Sequence, residues 1–452
     1  MKASRYNRLF QARDGTWLAF NTWTTALATI EPDELGFFRA LLEAPDTTAC
    51  DTSTKREMRE AMVQSHFLID DGMDEVGTLK ADLLRDRFST EALHLTIAPT
   101  LDCNFRCDYC YEDLKRISMS KPVQAAIGRW VRQKTELSRE LHVIWYGGEP
   151  MLPRSLAAIE AMSSDFLSLA TEKNLTYSAQ MVTNGYLLDR AKMKRLVELG
   201  VEMVQITLDG PQEIHDQRRP LVGGGGTFER IVSNLASIVD LVDIQLRINV
   251  DQRNTDSALE VTQYLQDQGL ADKMRLYLAM VTVDSAVCGN IQEMCYSSED
   301  FARIELETYA EAARRGLPLS KYPSRVEGAY CSAERLHGYV IAPGGQIFKC
   351  WHEVTMNPDG AIGSVLDQEQ EPFQKNNEDF WLKWDALEKS ACRSCSILPL
   401  CHGGCPLEAM EKVDADRGSC DPYLYHLNGI VELKYLTEAS VPDQSESRRG
   451  KA

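Results

Sequence analysis

Ten of the thirteen cysteines in this 452-residue chain fall into two separated groups, and no other feature limits its fold and chemistry as tightly. Cys103, Cys107 and Cys110 stand close together, spaced C-x3-C-x2-C. Cys331, Cys350, Cys392, Cys395, Cys401, Cys405 and Cys420 lie in the last third. An iron–sulfur cluster takes up to four cysteine sulfurs, so this supply suits more than one cluster. The first group offers only three ligands. One iron of a cluster held there would be open, and an open metal position is where a substrate or cofactor binds. A structural zinc site is the alternative, but no fourth ligand stands in the loop, and His94 lies in the preceding strand candidate.

The metal reading needs thiols that stay reduced. Met1 to Phe10 is polar and basic, with no apolar core and no small-residue cleavage site, so no signal peptide is expected. No apolar run approaches a membrane span. The expected location is therefore cytoplasmic, where cysteines do not pair as disulfides and clustered spacing points to metal. A net charge of −18 argues against a nucleic-acid partner, whose phosphates it would repel.

From residue 93 the chain alternates between short apolar runs and helical stretches. Strands are expected over Leu93–Pro99, His142–Tyr146, Thr176–Val182, Met203–Leu208, Ile244–Val250 and Arg275–Val281. Between them helices are expected over 121–134, 156–170, 189–199, 228–241 and 257–269. Such alternation predicts a parallel sheet covered by helices. Six units make a partial (β/α)6 barrel, an α/β fold whose chemistry sits at the carboxyl ends of the strands. Cys103 follows the first strand and Gly147-Gly148-Glu149-Pro150 the second, both on that edge. The expected division is 1–88, small strands with helices over 32–42 and 55–64; 89–318, the barrel; 319–438, a loop-heavy cysteine-rich domain; and 439–452, a polar disordered tail. Gly223 to Gly226 precede no Lys-Ser/Thr and read as a flexible connection, not a phosphate loop.

The stretch Cys103-Asn104-Phe105-Arg106-Cys107-Asp108-Tyr109-Cys110-Tyr111 resembles the signature loop of radical S-adenosylmethionine (SAM) enzymes. That resemblance implies a [4Fe–4S] cluster whose open iron is chelated by SAM, and reductive cleavage of SAM to a 5′-deoxyadenosyl radical. Gly147, Gly148 and Glu149 resemble the family's GGE motif, which binds the methionyl amino group. Thr183-Asn184-Gly185 and Thr207-Leu208-Asp209-Gly210 resemble stretches that touch SAM. Thr183, Asn184 and Asp209 are therefore cofactor-binding candidates, and so are Arg247 and Asn249 on the fifth strand. Each also has a plainer reading as a turn or core residue.

The seven late cysteines resemble the SPASM extension of radical SAM peptide and protein modifiers, which carries two auxiliary [4Fe–4S] clusters. By that resemblance Cys392, Cys395, Cys401 and Cys420 hold an outer cluster. Cys331, Cys350 and Cys405 hold an inner one, for three clusters in all. A zinc ribbon is the plainer alternative for C-x2-C pairs. The inner set is one ligand short: either an iron is open, or Cys288 or Cys295 fills it. Cys50 stands alone as a bystander. Sulfatase-maturing members place a carboxylate just after the cysteine that corresponds to Cys350. Here Trp351 and His352 follow, with Glu353 third, which disfavours formylglycine chemistry. His352 and Glu353 are candidates for proton transfer, and no residue is assigned as the catalytic acid or base.

Residues 1–88 resemble, weakly, the winged-helix-like recognition domain of peptide-modifying SPASM enzymes, which binds a precursor's leader along a strand edge. The implied activity is modification of a ribosomally made peptide, through a thioether or carbon–carbon crosslink, with flavodoxin or ferredoxin as electron donor. Formylglycine formation and epimerisation are the enzymatic alternatives. A zinc-stabilised binding module is the non-enzymatic one.

Overall fold

The six apolar runs form six parallel strands. A computed structural model describes residues 1–282, 291–354, 359–367, 375–411 and 416–439. An amino-terminal region opens with β1 (Lys2–Ala3), β2 (Asn7–Gln11), β3 (Trp17–Asn21), β4 (Leu27–Ile30) and β5 (Leu68–Ile69). The barrel strands follow as β6 (Ala92–Ile97), β7 (Glu140–Trp145), β8 (Thr176–Val182), β9 (Val201–Thr207), β10 (Asp243–Val250) and β11 (Arg275–Met280). Then come β12 (Gly338–Ile341), β13 (Gln346–Phe348) and β14 (Gly363–Ser364).

Period-2 alternation decides the faces. Leu141, Val143 and Trp145 of β7 are fully buried beneath the helices, and their neighbours Leu93, Leu95 and Ile97 of β6 pair with them in register. Helices α4 (Lys121–Lys134), α5 (Pro153–Lys173), α6 (Arg190–Glu198), α8 (Phe228–Ile238) and α9 (Ser257–Asp267) cover this face, as the sequence pattern predicts. Their ends follow local chemistry. Pro153 opens α5, Asn174 closes it with φ 55°, and the Asp189 carboxylate caps α6 by accepting from Lys192 N–H.

The sheet does not stop at six strands. β12 pairs with β6 in parallel and carries β13 and β14 outward, in the order β11-β10-β9-β8-β7-β6-β12-β13-β14. The cysteine-rich region thus begins as a continuation of the barrel sheet. Nor is that region all loop. Short helical turns support it, and α15 (Tyr423–Ala439) packs on α10 (Ser298–Arg315). Sequence reading missed α15 because apolar residues run around the helix and leave no stripe. It also missed α7 (Gln212–Arg218), too short for a period to show.

Before the barrel, β2, β3 and β4 form an antiparallel three-stranded sheet beside α1 (Leu35–Glu43) and α2 (Ser53–Gln64), while β1 and β5 pair separately. A further helix, α3 (Glu75–Arg87), also escaped sequence reading. The sheet rests on the cysteine-rich region: Arg8 Nε donates to Asn428 Oδ1 at 2.9 Å and Thr22 Oγ1 to Ser396 O at 2.6 Å.

Candidate active site

Cys103, Cys107 and Cys110 sit on the loop leaving β6, at the carboxyl edge of the parallel strands, and line a cavity of about 620 Å³. Gly147 and Gly148 after β7, Thr183 and Asn184 after β8, Thr207 of β9, and Arg247 and Asn249 of β10 line the same cavity. The strands thus bring six of the eight expected cofactor-binding positions to one edge; the other two, Glu149 and Asp209, frame it from within.

The glycines answer a close approach. A Cβ on Gly148, whose φ is +51°, would stand 2.2 Å from Asp102 O, and one on Gly147 would meet Ala98 Cβ at 2.6 Å. Glu149 is fully buried beneath them. Its carboxylate accepts from Met151 N–H at 2.8 Å, Thr183 Oγ1–H at 2.6 Å and Asn184 N–H at 2.8 Å. Burial raises this carboxyl's pKa, with the three donors acting against the shift. The side chain therefore ties the β7 and β8 loops together, which leaves the backbone of the glycine loop facing the cavity. Glu149→Gln puts an amide where three donors converge. The expected result is a loss of about 2 kcal/mol of stability, read as a lower urea midpoint.

Asp209 is likewise turned inward and fully buried, accepting from Tyr109 Oη–H at 2.5 Å and Asn249 N–H at 3.2 Å and pairing with Arg218 at 3.4 Å. Arg247 Nε donates to Asn249 Oδ1 at 2.7 Å. Tyr109, the aromatic before Cys110, is the hub: Asn249 Nδ2 reaches its oxygen at 3.0 Å, and Arg219 donates to it as well. Sequence reading passed over Arg218 and Arg219, which only the return of the α7 loop brings beside the cysteine loop. The visible signal was a pair of adjacent arginines before Pro220.

These residues fit a cluster and its ligand. The three thiols face one cavity. Cys103 Sγ accepts from Phe105 N–H at 3.4 Å, the kind of contact that tunes a cluster sulfur. Asn104 Nδ2 and Arg219 Nε are buried with no hydrogen-bond partner among the described residues. Burial pushes the Cys103 thiol well up, so it stays protonated until a metal displaces the proton.

The late cysteines form two further sets. Cys392, Cys395, Cys401 and Cys420 line a small cavity of about 90 Å³, and Gly418 N–H points at Cys392 Sγ at 3.2 Å. Cys331 and Cys350 pack together around Ala333 and Trp381, while Cys405 faces the large cavity. Every described cysteine is a free thiol. Of the two candidates for a fourth inner ligand, Cys288 lies outside the described residues. Cys295 packs with Val281, Ile291, Tyr109 and Tyr111 beside the first loop, in a cluster separate from that of Cys331 and Cys350. Cys50 belongs to the core of the amino-terminal region.

Trp351 and His352 complete the cavity wall. Trp351 packs on Tyr146 at 4.7 Å, and His352 stacks on Tyr111 at 4.4 Å with 3° between the planes. Glu353 does not line the cavity; its carboxylate accepts from Cys350 N–H at 3.4 Å, and burial pushes its pKa up to about 7.

The sequence profile of the Radical SAM superfamily matches residues 97–265. A serine-type anaerobic sulfatase-maturating enzyme of Klebsiella aerogenes is 20% identical over 320 residues, 67% of this chain and 77% of that one. Among solved structures, native anSMEcpe with bound AdoMet and Kp18Cys peptide superposes with a TM-score of 0.59 at 20% identity, over 77% of this chain and 99% of that one. Streptococcus suis SuiB bound to precursor peptide SuiA has a TM-score of 0.50 at 14% identity, over 93% and 99%. Residues 97–265, which carry the cysteine loop and most of the parallel strands, thus match the radical SAM superfamily, and the chain shares the fold of the two solved structures. That family implies a [4Fe–4S] cluster and SAM. No helix among the described residues is long and apolar enough to cross a membrane.

Proposed function

We propose that the chain crosslinks a ribosomally made precursor peptide. The observation that carries this reading is the shared cavity, which joins the three-cysteine loop and its cofactor-binding strand ends to Cys405, Trp351 and His352 of the cysteine-rich region. A substrate side chain there lies between both sets of cysteines.

Cys103, Cys107 and Cys110 hold the SAM cluster. Gly147, Gly148, Thr183, Asn184, Arg247 and Asn249 surround its SAM, with Glu149 and Asp209 bracing their loops. Cys392, Cys395, Cys401 and Cys420 hold the outer auxiliary cluster, and Cys331, Cys350 and Cys405 the inner one. Loaded in this way, the three clusters and SAM supply a 5′-deoxyadenosyl radical and an acceptor for a second electron. The protein's own work is orientation and exclusion of water. Trp351, His352, Tyr111 and Tyr146 wall the reacting carbon from solvent, and the stacked pair holds the wall still. A crosslink removes two hydrogens from the peptide, one as an atom and one as a proton, with one electron released.

The amino-terminal sheet, with outer strands β2 and β4, is the leader's docking element, read by main-chain pairing. The SuiB structure, which carries a precursor peptide and covers 93% of this chain, supports that reading. A one-electron carrier of the flavodoxin or ferredoxin class reduces the enzyme, and the cytoplasm is the setting in which such clusters survive.

Formylglycine formation is the second reading, favoured by similarity to the Klebsiella enzyme. Against it stands Trp351 at the position where that chemistry needs a carboxylate, with Glu353 turned onto the Cys350 amide. The test is anaerobic co-expression with a short peptide encoded beside the gene, read by mass. Loss of two hydrogens with fragmentation blocked between two residues establishes the crosslink. Unchanged mass with deuterium taken from heavy water indicates epimerisation. An unmodified peptide beside a sulfatase serine or cysteine turned to formylglycine overturns the proposal.

A further inference from the structure

Cys331 and Cys350 sit in matching turns. Each cysteine caps a short 3-10 turn, Ser332–Glu334 or Trp351–Glu353, and the glutamate three residues on returns its carboxylate to the cysteine's amide, at 3.2 Å for Glu334 and 3.4 Å for Glu353. The turn alone thus places a carboxyl group beside each cysteine. The two sites then diverge. Glu334 forms a 2.8 Å ion pair with Arg87, both side chains 2–3% exposed. Among the described residues Glu353 has no ion pair, so the turn does not need an arginine to form.

Arg87 is the last residue of α3, the helix that leads out of the amino-terminal region. Its carbonyl accepts from Leu336 N–H at 2.7 Å. The preceding residue, Asp86, accepts from Ala329 N–H at 2.7 Å and pairs with Arg335. A Cβ on Gly328 would stand 2.3 Å from that carboxylate, so the loop is pressed against the helix end. The end of α3 therefore grips the Cys331 loop on both sides of the cysteine, through main chain and side chain.

We propose that Arg87 is a positioning residue for the inner iron–sulfur cluster, holding the Cys331 turn through Glu334 and cancelling the charge that this carboxylate places beside the cluster. The inference rests on the assignment of Cys331, Cys350 and Cys405 as cluster ligands. Removing one partner of a buried pair strands the other's charge. A bare carboxylate disfavours adding an electron nearby, and net charge is among the factors that set a cluster's potential.

The test is redox titration of the auxiliary clusters, followed by electron paramagnetic resonance, in full-length protein with Cys103, Cys107 and Cys110 replaced by Ala. This background is expected to hold about eight irons per chain. Arg87→Met should move one cluster's midpoint to more negative potential, Glu334→Gln should move the same one to more positive potential, and the double variant should return towards the parent. Shifts of the same sign, or none, would overturn the proposal and leave the cluster assignment standing. If Arg87→Met loses iron, restoration in the double variant supports the proposal and continued loss overturns it. A background protein without iron would overturn the cluster assignment itself, and the proposal with it.

Discussion

Replacing Cys103, Cys107 and Cys110 together by Ala is expected to abolish SAM cleavage, with no detectable 5′-deoxyadenosine under dithionite. Iron should fall from about twelve to about eight per chain, because four irons leave with one cluster and the seven late cysteines are untouched. The fold should survive. The loop lies at the edge of the sheet, the three residues are only half-buried, and the main core packs between the strands and their helices. Iron analysis and a product assay on the same sample check both halves. Retained cleavage would remove the loop from the cofactor site, and the loss of all iron would overturn the assignment of the late cysteines as cluster ligands.

Gly148→Ala is expected to come second. The new methyl would stand 2.2 Å from Asp102 O and 2.9 Å from Asp102 C, backbone atoms that cannot swing aside, at a φ of +51° that alanine adopts at a cost of about 1 kcal/mol. Asp102 precedes the first ligand, so relief of the clash displaces the cysteine loop against the glycine loop. SAM affinity should fall at least ~10-fold, equivalent to about 1.4 kcal/mol, with partial loss of the first cluster. Gly363→Ala is the control, because a Cβ there meets nothing within 4 Å. Equilibrium binding of SAM to reconstituted protein separates the two, and an unaltered affinity in Gly148→Ala would refute the close-approach argument.

Much of the barrel was legible because its signals are local. Each strand is a short apolar run flanked by a helical period, and the cysteine spacing needs no knowledge of the fold. Thr183 and Asn184 stood out because their stretch, after a predicted strand, resembles one that touches SAM, and Arg247 and Asn249 were candidates on the fifth predicted strand. Side-chain direction was not legible. Glu149 and Asp209 stand beside cavity residues in sequence, yet both carboxylates turn inward to brace loops. Which way a carboxylate faces depends on donors supplied by the next strand.

The sequence by itself determined the alternation of strands and helices, the grouping of the cysteines, and the absence of a carboxylate directly after Cys350, since these are written in residue type and spacing. Only the tertiary structure decided that β12 extends the barrel sheet and so carries the inner cysteines towards the cavity. It also decided that Arg219 reaches Tyr109 beside the first cysteine loop, and that Arg87 meets Glu334 across 247 residues. Such contacts depend on packing between elements distant in the chain, and the residues that make them carry no periodic or spacing signal of their own.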